Sequence, residues 1–225
     1  MGKESAERIQ TSILSKAEKK ALVWLAQRQP EWMTSDTLTY IGVLGTVVYA
    51  IGGWLSNTDI RYLWLSSFGL VLHWYGTLAR FRNTQRPIYG FFIDHTLDAV
   101  TTCLIFLGAG LSPMFRMDVA LAALAGYLSL SIYTYVCTIV KEEFCLTYGK
   151  LGPTEFRLLL ILLNILYMYT SWSEWRINWY GLEWGIFDIL GIIITIILFS
   201  IYIAQFIKDR AAFAKQDPLK PHNKR

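Results

Sequence analysis

The chain has 225 residues, of which 54% are hydrophobic, 15% aromatic and only 17% charged. Soluble domains carry about 25% charged residues, so a water-facing globule is excluded. The net charge of +4 then reads as a membrane-topology signal, with no nucleic-acid surface implied. Cys103, Cys137 and Cys145 form no CxxC pair, which points to free thiols and not to a disulfide framework.

Residues 1–36 form a charged juxtamembrane segment. Within Ser5–Arg28, Ile9, Ile13, Leu14, Ala17, Ala21, Trp24 and Leu25 recur near a 3.6-residue period, with Lys16, Lys19 and Lys20 largely on the other side. That pattern predicts an amphipathic helix lying on anionic lipid, or alternatively a cap packed on the bundle. Pro30 ends it. The first apolar run begins only near Leu38, behind this segment, so no cleavable signal peptide is expected.

Six apolar runs follow in residues 37–208: Leu38–Ser56, Tyr62–Ala79, Ile93–Leu111, Val119–Val140, Phe156–Trp172 and Trp184–Ile207. Each is near the length that crosses about 30 Å of hydrocarbon at 1.5 Å per residue. A lone strand would leave its backbone unpaired in lipid, so the runs are helices and the fold class is an all-α, polytopic six-helix bundle. Gly42, Gly45, Gly52 and Gly53 in the first run, and Gly69 and Gly76 in the second, predict close backbone approach. Trp54, Trp64, Trp172, Trp175, Trp179 and Trp184 sit near the run ends, as interfacial aromatics do. Residues 209–225 form a polar tail. An even number of spans puts both termini on one side, together with all of the 21 basic residues except Arg61, Arg116 and Arg176. The positive-inside rule makes that side cytoplasmic.

The chemistry concentrates in Gly76–Asp98. Asp94 and Asp98 are four apart, so one helix face carries both carboxylates a turn apart. They read either as cap and dipole charges at a helix start or as oxygen ligands of a hard divalent ion, Mg or Mn. Arg80, Arg82 and Arg86 crowd the same mouth, where guanidinium forks suit phosphates. Gly90 leaves room for a ligand beside the backbone. Glu155 and Arg157 open the fifth run, either as phosphate or acceptor contacts or as an ordinary capped helix start. His73 reads as a structural hydrogen-bonder sooner than a ligand. His95 points about 100° away from Asp94. Asn164 and Asp188, inside apolar runs, require interior partners.

The stretch resembles the second half of the CDP-alcohol phosphotransferase signature, D-x2-D-G-x2-A-R-x(8–9)-G-x3-D-x3-D. Gly76, Ala79, Arg80, Gly90, Asp94 and Asp98 stand at the matching spacings, and the six-span plan with its amphipathic start is similar to that family too. The resemblance implies a membrane enzyme of phospholipid biosynthesis, forming a homodimer, in the inner membrane of a bacterium. Its CDP-linked donor enters from the cytoplasm, and a lipid or polar alcohol acceptor attacks with release of CMP. It also implies a divalent metal held by Asp94 and Asp98, with Asp98 as general base. Gly76, Ala79 and Gly90 are implied as nucleotide-site packing positions and Arg80 as the motif arginine.

The first Asp-x-x-Asp half is missing: its positions hold Leu72 and Tyr75. Either these are substitutions, or a five-residue Asp-x-x-Asp-Gly block is absent between Gly76 and Thr77, the reading favoured by the Trp74-Tyr75-Gly76 junction. A two-metal site must offset about four positive charges, and two carboxylates supply half of that. The expected consequence is a family member with impaired turnover, or a non-catalytic relative.

Overall fold

The structure is a computed structural model that describes residues 15–30, 32–78, 87–141 and 153–218. A short helix, α1 (Ser15–Ala26), precedes six that make the bundle. These are α2 (Ser35–Leu55), α3 (Leu63–Gly76), α4 (Pro87–Leu111), α5 (Met117–Lys141), α6 (Pro153–Tyr169) and α7 (Ile186–Gln216). Between α6 and α7 stands a two-stranded antiparallel hairpin, β1 (Arg176–Trp179) and β2 (Leu182–Gly185). The architecture is that of an all-α polytopic membrane protein, with the hairpin as its one β element among the described residues.

Side-chain and backbone contacts give the direction of every helix. Gly45 meets Gly69, and Gly42 meets Gly76, so α2 and α3 are antiparallel. Gly53 meets Gly108, and Asn57 donates to the Leu111 carbonyl at 2.7 Å, so α4 runs parallel to α2. The Phe106–Tyr127 and His95–Tyr135 ring contacts set α5 antiparallel to α4. Asn164 Nδ2 donates to Ser67 Oγ at 2.9 Å, which brings α6 antiparallel to α3. Finally, Gly191 sits on Val119 while Lys141 reaches Asp209, so α7 runs parallel to α5. Six helices therefore alternate in direction.

Glycine makes this packing possible. Lipid tails are as apolar as leucine, so helices associate in a bilayer by van der Waals contact, and small residues bring backbones together. A Cβ at Gly76 would stand 2.6 Å from Gly42 Cα, one at Gly69 would stand 2.6 Å from the Gly45 carbonyl oxygen, and one at Gly108 would stand 2.7 Å from Ala50 Cα. Both faces of α2 are thus in backbone contact, one with α3 and the other with α4. Tyr49, Leu63, Leu70, Ile105, Leu160 and Leu163 fill the space inside.

Helix lengths depart from the expected runs in an informative way. α2, α5, α7 and residues Ile88–Leu111 of α4 are long and apolar enough to cross a bilayer. With 14 residues, α3 is only about 21 Å long, and the 17 residues of α6 give about 26 Å. α4 begins at Pro87 and not at Ile93, since proline at a first helical position lacks only an N–H that would be unpaired anyway. α7 continues past Ile207 to Gln216, because Asp209 is buried there. Its carboxylate accepts from Lys141 Nζ at 2.8 Å, from Cys137 Sγ at 3.6 Å and from the Tyr133 hydroxyl.

The two ends of the bundle are closed differently. At the hairpin end, Asp188 accepts from Arg116 N at 2.7 Å and from Gly185 N at 2.8 Å, which meets the need for partners expected of an intramembrane carboxylate. At the other end, here the mouth, α1 folds onto the bundle. Leu22 is buried against Leu38 and Leu78, and Glu18 bonds the Thr154 hydroxyl at the start of α6. Val23 and Trp24 of the same helix stay exposed, so α1 has one face on protein and one turned outward.

Candidate functional site

α4 carries the carboxylates into the mouth. Thr101 and Ile105 are buried on its inner stripe, and Asp94 and Asp98 extend that stripe at helical spacing, i, i+4, i+7 and i+11. Asp94 is half-buried and Asp98 exposed. Because α4 starts at Pro87, Asp94 lies about two turns inside the helix, and no acidic residue occupies the first turn. Dipole stabilisation fades within that first turn. The cap reading of this pair therefore has no basis in the fold.

Across from α4, α5 contributes aromatic groups. The Tyr135 ring meets His95 edge-on at 5.4 Å between centroids. Tyr127 lies within the electrostatic reach of both Asp98 and Arg157, which places α4, α5 and α6 around one polar seam. Sequence reasoning passed over Tyr127, whose apolar flanks make it look like core.

His73 and Arg157 complete the seam. His73 Nδ1 lies 3.1 Å from the Gly42 carbonyl, and Arg157 Nη2 lies 3.1 Å from His73 Nε2. A guanidinium only donates, so Nε2 accepts and Nδ1 carries the proton that goes to Gly42. The ring is neutral, and both nitrogens tie α3 to its neighbours. Arg157 is 9% exposed, so it enters the structure as a buried helix tie between α3 and α6. Glu155, in the first turn of α6, is half-buried.

The remaining sequence-derived positions separate. Gly76 packs on Gly42, a helix–helix role. Among the described residues, Gly90 has nothing within 4 Å of where a Cβ would stand. Ala79, Arg80, Arg82 and Arg86 lie outside the described residues. The positions of the missing acids, Leu72 and Tyr75, are both half-buried on α3. The Tyr75 hydroxyl accepts from Gln29 Nε2 at 3.2 Å and donates to Met33 Sδ at 3.6 Å, so it is committed to the segment that links α1 to α2.

Whether these groups suit a pair of divalent ions is a matter of charge and count. Among the described residues, no three His, Cys, Asp or Glu side chains converge as ligands. α3 offers no carboxylate toward Asp94 and Asp98, and His73 is occupied on both nitrogens. The donor set does not fit a two-metal centre. What remains among the described residues is a pair of carboxyl side chains on α4 and a buried guanidinium on α6, with Tyr127 of α5 in electrostatic reach of Asp98 and Arg157.

No protein-family model matches the chain. Cholinephosphotransferase 1 of Gallus gallus is 25% identical over 189 residues, covering 76% of this chain and 54% of that protein. Cholinephosphotransferase 1 of Danio rerio is 27% identical over 189 residues, covering 76% of this chain and 48% of the relative. The chain thus spans about half the length of the curated relatives it matches. Both are vertebrate proteins and give the expected bacterial membrane no support.

Proposed function

We infer that this chain, a member of the CDP-alcohol phosphotransferase family and similar to cholinephosphotransferases, is a phospholipid-biosynthesis membrane protein. In this reading it keeps one wall of the transferase pocket and has lost most of its turnover. The family reaction joins an acceptor hydroxyl oxygen to the donor's alcohol-bearing phosphorus and breaks the P–O–P bond, with CMP leaving. In this reading Asp98, exposed on α4, takes the hydroxyl proton. Asp94 stands one turn closer to the mouth, where the donor's diphosphate would lie. By charge asymmetry the mouth is cytoplasmic, and the relatives' name points to cholinephosphate as the group transferred; in this reading CDP-choline is the donor and a bilayer diglyceride the acceptor.

One observation carries the impairment: α3 (Leu63–Gly76) holds no carboxylate, so nothing on it can complete a ligand set with Asp94 and Asp98. Loss of a catalytic proton-transfer or charge-stabilising group lowers rates by about 10²–10⁴-fold. The expectation is therefore CMP release at least about 100-fold below a full-signature family enzyme, measured side by side with labelled CDP-choline, diacylglycerol and Mg or Mn. Equal rates would overturn the proposal.

A second reading, a non-catalytic relative, is favoured by the closed His73–Arg157 pair, which commits the seam to holding helices. Absence of any CDP-choline binding by the purified chain would select it.

A further inference from the structure

Four of the nine tryptophans fall between Trp172 and Trp184, and two of these stand on the hairpin. Its register pairs Ile177 with Trp184 and Trp179 with Leu182, and on alternate positions Arg176 with Gly185 and Asn178 with Glu183. Cross-strand partners share a face and successive residues switch faces. One side of the hairpin is therefore Ile177, Trp179, Leu182 and Trp184, and the other is polar. Such a blade of two four-residue strands is marginal alone in water, yet here it is pinned. Arg116 donates to the Glu183 carbonyl at 3.4 Å and lies 4.6 Å over the Trp184 ring, and Gly185 N is held by Asp188.

The turn adds an independent signal. Tyr180 and Gly181 both have positive φ, 54° and 72°, the two-residue turn in which asparagine followed by glycine is favoured. An aromatic residue in that left-handed position is conformationally unfavourable, and its ring is 89% exposed. Trp179, beside it, is 62% exposed, with Ile177 and Leu182 both above 40%. The hairpin joins the end of α6 to the start of α7, and Tyr169 of α6 and Ile189 and Ile193 of α7 are exposed apolar residues near those two helix ends. Arg176 and Glu183 offset each other in charge, so nothing in the blade selects anionic lipid.

We propose that β1–β2 is a membrane-interface blade whose aromatic face beds into the headgroup–acyl boundary of a zwitterionic leaflet, with Tyr180 at its leading tip. Tryptophan and tyrosine partition to that zone because one part of each ring system is apolar and another is wet.

The test uses the full chain in phosphatidylcholine nanodiscs, with Cys103, Cys137 and Cys145 replaced by alanine and single cysteines at 178, 179, 182 or 183 carrying an environment-sensitive fluorophore. Labels at 179 and 182 are expected to be blue-shifted and quenched at least twofold more by shallow spin-labelled lipid than labels at 178 and 183, which aqueous iodide should reach. Adding anionic lipid should change neither. Equal iodide access at all four positions overturns the proposal. So does shielding of 179 and 182 from lipid and iodide alike, which would mean a protein occupant. In the unlabelled chain, Trp179→Phe should remove a measurable share of tryptophan quenching by shallow brominated lipid, and an unchanged signal counts against the blade.

Discussion

Where α2 meets α3 the two backbones touch, whereas at the mouth α4 presents polar side chains, Asp94 half-buried and Asp98 exposed. The first region is built from glycines at fixed spacing and admits no added atom. The second is built from two carboxylates, a half-covered seam and a glycine with nothing beside it among the described residues. The contrast teaches that scaffold and chemistry occupy separable parts of this bundle. A chain that lost the acidic block of α3 would still keep every contact made by Gly42, Gly45, Gly69 and Gly76, and so would still assemble.

The largest expected effect lies in the closed region. Gly69→Val would force branched carbons into the Gly45 carbonyl and the Tyr49 backbone, and overpacking of this kind costs about 3 kcal/mol or more when backbone must move. Thermal unfolding in detergent should show it as a large drop or as a failure to purify. Gly90→Ala, on a helix with nothing beside it among the described residues, should instead stabilise by about 0.5–1 kcal/mol. Equal outcomes for the two would erase the distinction between regions.

Next comes the seam. Arg157→Leu removes the guanidinium that bonds His73 Nε2 and should cost about 1–3 kcal/mol, the usual penalty for a buried polar partner left unmet. His73→Leu should cost a similar amount, and the double variant should cost less than the sum, because the two share one bond. Additive losses would mean that the pair does not act as a tie.

The mouth carboxylates should behave in the opposite way. Asp98→Asn, at an exposed position, is expected to leave stability within about 0.5 kcal/mol, and Asp98→Asn and Asp94→Asn should each abolish any CDP-choline binding seen by thermal shift or photolabelling. Loss of folding without loss of binding would place them in the scaffold.

The smallest effect lies in the α2–α3 loop. The Arg61 backbone amide and guanidinium hold the Asp59 carboxyl below the usual carboxylate range. A depressed folded pKa means that the contribution is present above the unfolded value, about 3.9, and is lost as pH falls through the lower folded value. Asp59→Asn should therefore lower stability slightly at neutral pH and flatten the acid limb, where the protonated parent loses the same contribution. Salt should weaken the pair, since Arg61 is exposed and Asp59 is partly so.

Much of this arrangement is legible in the residues. The α2 and α3 glycines announce close approach because no other role suits small residues repeating in apolar runs, and the Asp94–Asp98 spacing places both acids on one face. The need for partners at Asp188 and Asn164 follows from their polarity alone. What escapes is set by long-range contact. His73 and Arg157 are 84 residues apart in sequence, and nothing local to either predicts the other. The burial of Asp209 depends on Tyr133 and Lys141 of a different helix, which is why α7 outruns its apolar stretch. The hairpin does carry a local signal, alternation of Ile177 and Trp179 with Leu182 and Trp184 around a glycine turn. Its aromatic residues match interfacial span ends equally well, and that reading hides the strands.

The separation of scaffold from chemistry is tested most directly by inserting Asp-x-x-Asp-Gly after Gly76 and measuring CMP release from CDP-choline beside the parent chain, with Mg or Mn and diacylglycerol. Both proteins should fold and unfold alike, and only the inserted version should turn over, by at least about 100-fold, with Asp98→Asn in that version returning it to background. Equal release from the two chains, or release that survives Asp98→Asn, would contradict the account.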